Sequence, residues 1–501
     1  MKSRVSQTKL NIAVSLLYQV IAAVIGLILP RFILTAYGSQ TNGIIHAISQ
    51  MLSYTVLLEC GIGGMVTASF YKPLAVGDNE AVSDIFNNTK KFFTKISLIY
   101  TLFVVVLTFI SPFIIKSDFN FVYTASMVLI LGVSNYFTYY FSMAQTLLIK
   151  ADQKLRIYQS FLLIAITLNA VVSILLIKAG FGIHAVKTTT AFIFLITPLS
   201  TRFYVKKHYT ISKKVFDKNR KLPEKKDGVI HHLSYFIHKN TDIVILTFFC
   251  GVKVVSVYSV YNVVAVALES LLGAVSNGIA AKFGNIIALK EKNSLNKSFE
   301  FYNGVNMIVS AFFCTVTAIL IIPFVKIYTS GVTDINYIRP FFAVLVVITQ
   351  WIYFIRIPFA TTITSAGHYK ETKTGAIGKV IINLGLSLIL VKPFGLNGVI
   401  AGTLFSVIFE TFYMVNYLSK NLVSRKRRFF FLESAVNFIT SLLLIILIDK
   451  FMVINPKNIL LLVVDAVKVS VIVLSVLSAV NLATNKKLRM LFKKETENAN
   501  S

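Results

Sequence analysis

The stretch NAVVSILLIKAGFGIHAV at residues 169–186 returns 214 residues later as NLGLSLILVKPFGLNGVI at 383–400. Asn169, Ser173 and Lys178 of the first copy correspond to Asn383, Ser387 and Lys392 of the second. Both copies are largely apolar with a few polar residues, which reads as a membrane helix within a duplicated unit. Two other places agree. Glu59 and Gly63 recur as Glu269 and Gly273, offset by 210, and Ile33-Leu34-Thr35 recurs as Ile245-Leu246-Thr247, offset by 212. One such match is common in apolar sequence, but a near-constant offset over three spans marks an internal repeat. The offset contains an even number of spans, so both halves should have the same membrane orientation, with a cleft between them suited to alternating access.

Composition places those repeats in lipid. The 501 residues are 55% hydrophobic and only 14% charged, with a mean hydropathy of +0.73, too little polar surface for a soluble domain. The net charge of +29 sits in short loops between apolar runs. That distribution points to membrane insertion and not to nucleic acid. Cys60, Cys250 and Cys314 lie far apart in apolar runs, so they form neither a disulfide framework nor a metal-ligand spacing and read as packing residues. Lys2, Arg4 and Lys9 precede the first apolar run without an A-x-A-like site after it, so that run is expected to be retained as a span.

Fourteen spans are expected, at about 10–36, 42–70, 92–115, 121–147, 158–177, 182–204, 229–250, 255–281, 303–325, 337–364, 374–391, 396–419, 430–449 and 459–482. Residues 1–205 then form an N-lobe of spans one to six and 206–228 a basic cytoplasmic linker. Residues 229–420 form a C-lobe of spans seven to twelve, 421–483 spans thirteen and fourteen, and 484–501 a cytoplasmic tail. The fold class is all-α integral membrane: two pseudo-symmetric six-helix lobes and two C-terminal helices. The tails and alternate loops carry about 35 basic residues against about 8 on the other side, which places both termini in the cytoplasm. Cysteines introduced at positions 215 and 424 should therefore be labelled only from the cytoplasm, and one at 330 only from outside. Labelling of position 215 from outside would overturn the two-lobe scheme.

Three segments carry a family resemblance: PRFILTAYGSQTNGI at 30–44, KNTDIVILTFFCGVKVVSVYSVYN at 239–262, and RIPFATTITSAGHYKETKTGAIGKVIINLGLSLILVKPFGLNGVIAGTLFS at 356–406. The last resembles the second-lobe signature of bacterial polysaccharide-repeat flippases of the Wzx type, and the other two resemble the starts of their lobes. These flippases belong to the multidrug/oligosaccharidyl-lipid/polysaccharide superfamily, whose drug/cation antiporters (the MATE type) share the two-lobe core. The resemblance implies a multi-pass protein of the bacterial plasma membrane that moves undecaprenyl-pyrophosphate-linked oligosaccharide outward for capsule, O-antigen or exopolysaccharide synthesis, with a polysaccharide polymerase as a partner. A peptidoglycan lipid-precursor flippase and a MATE-type drug/cation antiporter are the alternatives. The resemblance also implies that the two appended helices provide an apolar groove for a polyprenyl tail.

Charges within spans cost about 2.5–3.5 kcal/mol each on the insertion scale, so those that persist usually face water or a partner. Arg31, Lys187, Lys239 and Arg356 are cationic at membrane depth, and Glu59, Asp242, Glu269 and Glu410 are acidic. The cations suit a pyrophosphate leaving the headgroup region, and Arg356, near the middle of span ten, is the leading anchor because its planar fork can hold phosphate oxygens. Arg31 and Lys187 could instead snorkel, and Lys379 reads as a snorkelling residue. Lys239 and Asp242, at i and i+3, could neutralise each other. Glu59, Glu269 and Glu410 are candidate cavity or coupling carboxylates.

Asp242, Asn383, Ser387 and Thr403 form a candidate cation site of hard oxygen donors. Lipid-flippase relatives hold sodium with an acidic residue in span seven, an Asn and an Asp four apart in span eleven, and a Thr in span twelve. Ser387 stands where they carry Asp, which leaves one carboxylate and makes Na+ or H+ the expected coupling ion. No metal cofactor is expected. Catalysis is not expected either: the seven histidines form no H-E-x-x-H, Walker-type phosphate loops are missing, and the predicted outer loops are too short for a polymerase.

Overall fold

The computed structural model describes residues 4–59, 62–214, 226–485 and 487–490, and every regular element among them is helical. Cys60, residues 215–225 of the basic linker and the tail beyond 490 lie outside the described residues.

The first half opens with α1 (Arg4–Ser53), a 3-10 turn (Tyr54–Glu59) and α2 (Ile62–Val76). It continues through α3 (Asn79–Ile114), α4 (Phe121–Phe141), α5 (Met143–Ala151), α6 (Leu155–Lys178), α7 (Ile183–Phe194) and α8 (Ile196–His208). The second half contains α9 (Lys226–Phe249), α10 (Val252–Ala288), α11 (Lys292–Tyr328), α12 (Pro340–Ser365), α13 (Tyr369–Phe394) and α14 (Leu396–Asn421), followed by α15 (Arg427–Phe451) and α16 (Ile459–Thr484).

Twelve helical segments are long and apolar enough to cross a membrane, and two details bring this into line with fourteen spans. The first segment, Ala13–Glu59, is 47 residues long, more than twice what a bilayer takes. It bends at Gly38 (φ 78°), which divides it into two crossings. α9 falls short on hydropathy because its centre reads His238-Lys239-Asn240-Thr241-Asp242, the residues that build the site described below.

Left-handed turns expose the repeat in the backbone itself. Gly38, Gly77, Gln153 and Gly180 have positive φ in the first half, and Gly251, Lys290, Gly367 and Gly395 match them in the second, where Gly331 is a further one without a counterpart among the described residues. The four pairs lie 213, 213, 214 and 215 residues apart, the period found in the side chains. Six of the eight are glycine because the left-handed region costs other residues a clash with their own Cβ.

The chain divides into two compact units, Met1–Phe236 with Thr247–Ser256, and Ile237–Leu246 with Val257–Ser501. In the first, the start of the linker is tied down: Tyr209 donates to Asp152 Oδ2 at 2.6 Å and Asn87 Nδ2 donates to the Ser212 carbonyl at 2.7 Å. In the second, α13 and α14 form a tight hairpin around Gly395. A Cβ at Gly402 would lie 2.3 Å from Ser387 Oγ, and one at Gly398 would lie 2.0 Å from the Leu390 carbonyl oxygen. Small residues let helix backbones meet closely where lipid offers no hydrophobic drive to associate.

The appended helices pack on α11 through Val469, Val473 and Leu477, which are buried with Ile308, Ala311, Leu444 and Ile448. Their outer faces, including Leu460, Val463 and Val467, are exposed and apolar, as lipid requires. Asn437 and Asn481 exchange hydrogen bonds of 3.1 and 2.9 Å between α15 and α16, a contact worth about 0.6 to 2 kcal/mol in a bilayer.

Candidate functional site

The second unit gathers four of its expected membrane-depth charges, Lys239, Glu269, Arg356 and Glu410, with Lys379. Arg356 of α12 pairs with Glu410 Oε2 of α14 at 2.7 Å, and Lys379 of α13 meets the same oxygen at 2.7 Å. Lys239 of α9 pairs with Glu269 of α10. Tyr353, one turn before Arg356 on the same face of α12, lies between the pairs: the Arg356 guanidinium and the Lys239 ammonium each sit 4.8 Å from its ring centroid. Three cations against two carboxylates leave a single positive charge in excess, at depth.

Two sequence expectations change here. Lys379 does not snorkel; its side chain is 3% exposed because the face of α13 that carries it is packed against α14, where Glu410 takes its charge. Lys239 pairs with Glu269 and not with Asp242, because α10 folds back beside α9 after the Gly251 turn. Asp242 forms no ion pair with Lys239, although that ammonium's charge still reaches it.

Asp242, Asn383 and Thr403 converge, with Ser387 alongside. Thr403 Oγ1 lies 3.0 and 2.9 Å from the two Asp242 oxygens, and Asn383 Nδ2 donates to Thr403 Oγ1 at 3.0 Å. Tyr258 of α10 donates to Asp242 Oδ2 at 3.1 Å. Ser387 Oγ points to the Val399 carbonyl, 3.2 Å away, and not to the carboxylate. The set fits a small hard cation in kind: one carboxylate, a hydroxyl and Asn383 Oδ1, which is buried with no hydrogen-bond partner. Its single carboxylate also suits a proton. Gly402 holds this geometry by letting α14 approach Ser387, so Gly402→Ala should force the hairpin apart. A loss of about 1–3 kcal/mol, read as a lower melting temperature in detergent, is expected; an unchanged melting temperature would show that the hairpin yields freely.

The remaining expected residues lie in the first unit. Glu59 ends the 3-10 turn and accepts a 2.8 Å hydrogen bond from Tyr139. Its repeat counterpart Glu269 holds a lysine, so the two carboxylates are not equivalent. Arg31 and Lys187 are half-buried in α1 and α7.

Back in the second unit, a groove of about 350 Å³ runs between α11, α12 and α15, lined by residues such as Cys314, Ile321, Val347, Trp351, Phe438 and Leu442.

No family model matches the chain, and no curated protein sequence is detectably similar. Solved structures are. A lipid II flippase MurJ in an inward closed conformation superposes with a TM-score of 0.71 over 94% of this chain and 99% of its own, at 12% identity. An inward-facing MATE-family multidrug resistance transporter of the MOP superfamily gives 0.56 over 80% and 94%, at 11% identity. A Vibrio cholerae MATE transporter gives 0.53 over 85% and 100%, at 13% identity. The chain shares its fold with these three structures. It is a multi-pass membrane fold, and MurJ matches more of the chain than either MATE transporter does.

Sequence reasoning missed Tyr353, Tyr258, His238 and Ser406. Tyr353 was signalled by its i, i+3 spacing from Arg356. Tyr258 was signalled by the Gly251 turn, which brings residues on either side of it together. His238 and Ser406, 3.5 Å apart and buried, had no local signal, because α9 and α14 meet only in the folded unit.

Proposed function

We propose that the protein is a flippase that moves polyprenyl-pyrophosphate-linked saccharides across the bacterial plasma membrane by alternating access, and that its cargo is an undecaprenyl-linked oligosaccharide repeat unit for a surface polymer. The observation that carries this reading is the buried Arg356–Glu410–Lys379 cluster with its excess positive charge. A pyrophosphate leaving the headgroup region loses its hydration, and cations held at depth replace it. Arginine and lysine sharing one carboxylate are only partly neutralised, so a phosphate can compete for the guanidinium while Lys379 keeps Glu410 paired. The apolar groove beside α15 suits a polyprenyl tail. The membrane potential, worth about 2.3 kcal/mol per charge per 100 mV, favours outward movement of the anion.

Asp242, Asn383 and Thr403 would hold the coupling ion. Sodium, when bound there, would supply a charge that offsets the buried carboxylate. Whether the ion is sodium or a proton, Tyr258 and Thr403 hydrogen-bond to that carboxylate.

The choice of cargo rests on the likeness of residues 356–406 to the polysaccharide-repeat flippases. The lipid II flippase whose structure aligns with 94% of the chain favours a peptidoglycan precursor as the second reading. Reconstitution in liposomes with each lipid-linked saccharide, scored by access of an impermeant lectin or glycosidase, separates them. Movement of the oligosaccharide carrier is expected; movement of lipid II alone would establish the second reading.

A further inference from the structure

We propose that a cavity of about 390 Å³ between α11, α15 and α16 is a binding site for the phosphate headgroup of an anionic glycerophospholipid. It lies at the ends of these helices beside the basic run Arg425-Lys426-Arg427-Arg428, on the side where basic loops are concentrated. Its floor is a saturated carboxylate. Glu433 accepts from Arg425 Nη2 at 2.5 Å, from Asn303 at 2.9 Å and from Asn485 at 3.0 Å, so its charge is spent on residues of three separate segments.

Arg425 is not spent. Its side chain is 8% exposed and lines the cavity, yet its Nη1 is buried with no hydrogen-bond partner. An unmade bond on a buried guanidinium is costly, and a phosphate oxygen is a strong acceptor for it. Lys487 adds a mostly exposed ammonium, paired to Glu300 at 2.8 Å through one of its three hydrogens. Apolar side chains line the cavity too: Phe429, Leu432 and Val436 flank Glu433 on α15, and Leu432 is 59% exposed. A free phosphate has no use for those side chains. A phospholipid does, with its headgroup on Arg425 and Lys487 and its acyl chain along α15, and basic pockets between spans favour anionic headgroups. The site is separate from the Arg356 cluster and does not depend on the transported cargo.

The test is thermal melting of the full chain in detergent with phosphatidylglycerol, cardiolipin, phosphatidylcholine or inorganic phosphate added, with native mass spectrometry counting retained lipid. The anionic lipids should raise the melting temperature and co-purify, and phosphatidylcholine and phosphate should not. Arg425→Lys keeps a charge opposite Glu433 but loses the fork, and roughly tenfold more anionic lipid should be needed for the same shift. Lys487→Gln, at an exposed position that cannot unfold the chain, should weaken retention in the same direction. Equal protection by phosphatidylcholine, protection by phosphate alone, or unchanged lipid retention in Lys487→Gln and in a folded Arg425→Lys would each overturn the proposal.

Discussion

Replacing Arg356 by alanine is expected to abolish surface polysaccharide in cells that depend on this protein, with normal amounts of protein in the membrane. The two halves of that result have different causes. Transport falls because the cluster's excess charge disappears, and losing a charge-assisted bond to phosphate lowers productive binding roughly 10- to 100-fold. The protein survives because Lys379 still pairs with Glu410. Arg356→Lys should retain part of the activity, since it keeps the charge and loses the planar fork. The opposite substitution separates structure from function: Glu410→Ala strands two buried cations, a penalty of about 3–5 kcal/mol, and should lower the melting temperature and the membrane level together. Full transport by the Arg356→Ala variant would remove this residue from the cargo route and leave the cluster a purely structural one.

Asp242→Asn should leave the protein folded and uncouple transport from the cation gradient. Folding is retained because Lys239 takes Glu269 as its partner, so removing the Asp242 charge strands no lysine. Asparagine can also keep accepting from Tyr258 and Thr403. Coupling is lost because the only carboxylate among the oxygen ligands has gone. Asn383→Ala should be milder, as it removes a neutral oxygen and one bond to Thr403. Vesicles given a sodium gradient or a proton gradient separately would show which ion accelerates transport in the parent protein. A variant at Asp242 that responds normally to both would show that the ion is handled elsewhere.

The convergence of Asp242, Asn383 and Thr403 was signalled by the family resemblance, and part of it follows from helices whose order is written in hydropathy. Asn383 and Ser387 are one turn apart on α13, and the Gly395 turn necessarily brings α14 back beside them, so Thr403 comes within reach. The orientation of Ser387 was not legible: its hydroxyl takes the Val399 carbonyl because the glycine-lined hairpin puts that oxygen next to it. Ion-pair partners were less legible still. Arg356, Lys379 and Glu410 stand on three different helices, and a span's sequence shows that a charge is buried without showing what answers it.

The sequence by itself determined the solvent, the number of spans and the duplication, since lipid demands long apolar helices and a repeat leaves its period in both side chains and turns. It also determined which residues must be unusual, because a charge at membrane depth is costly wherever it lies. Only the tertiary structure decided which of those charges meet. Pairing depends on helix rotation and on approaches of a few ångströms between segments far apart in the chain, and neither quantity has a periodic signature. Lys239 therefore belongs to Glu269 and not to its neighbour Asp242, and Lys379 belongs to Glu410 and not to the headgroups.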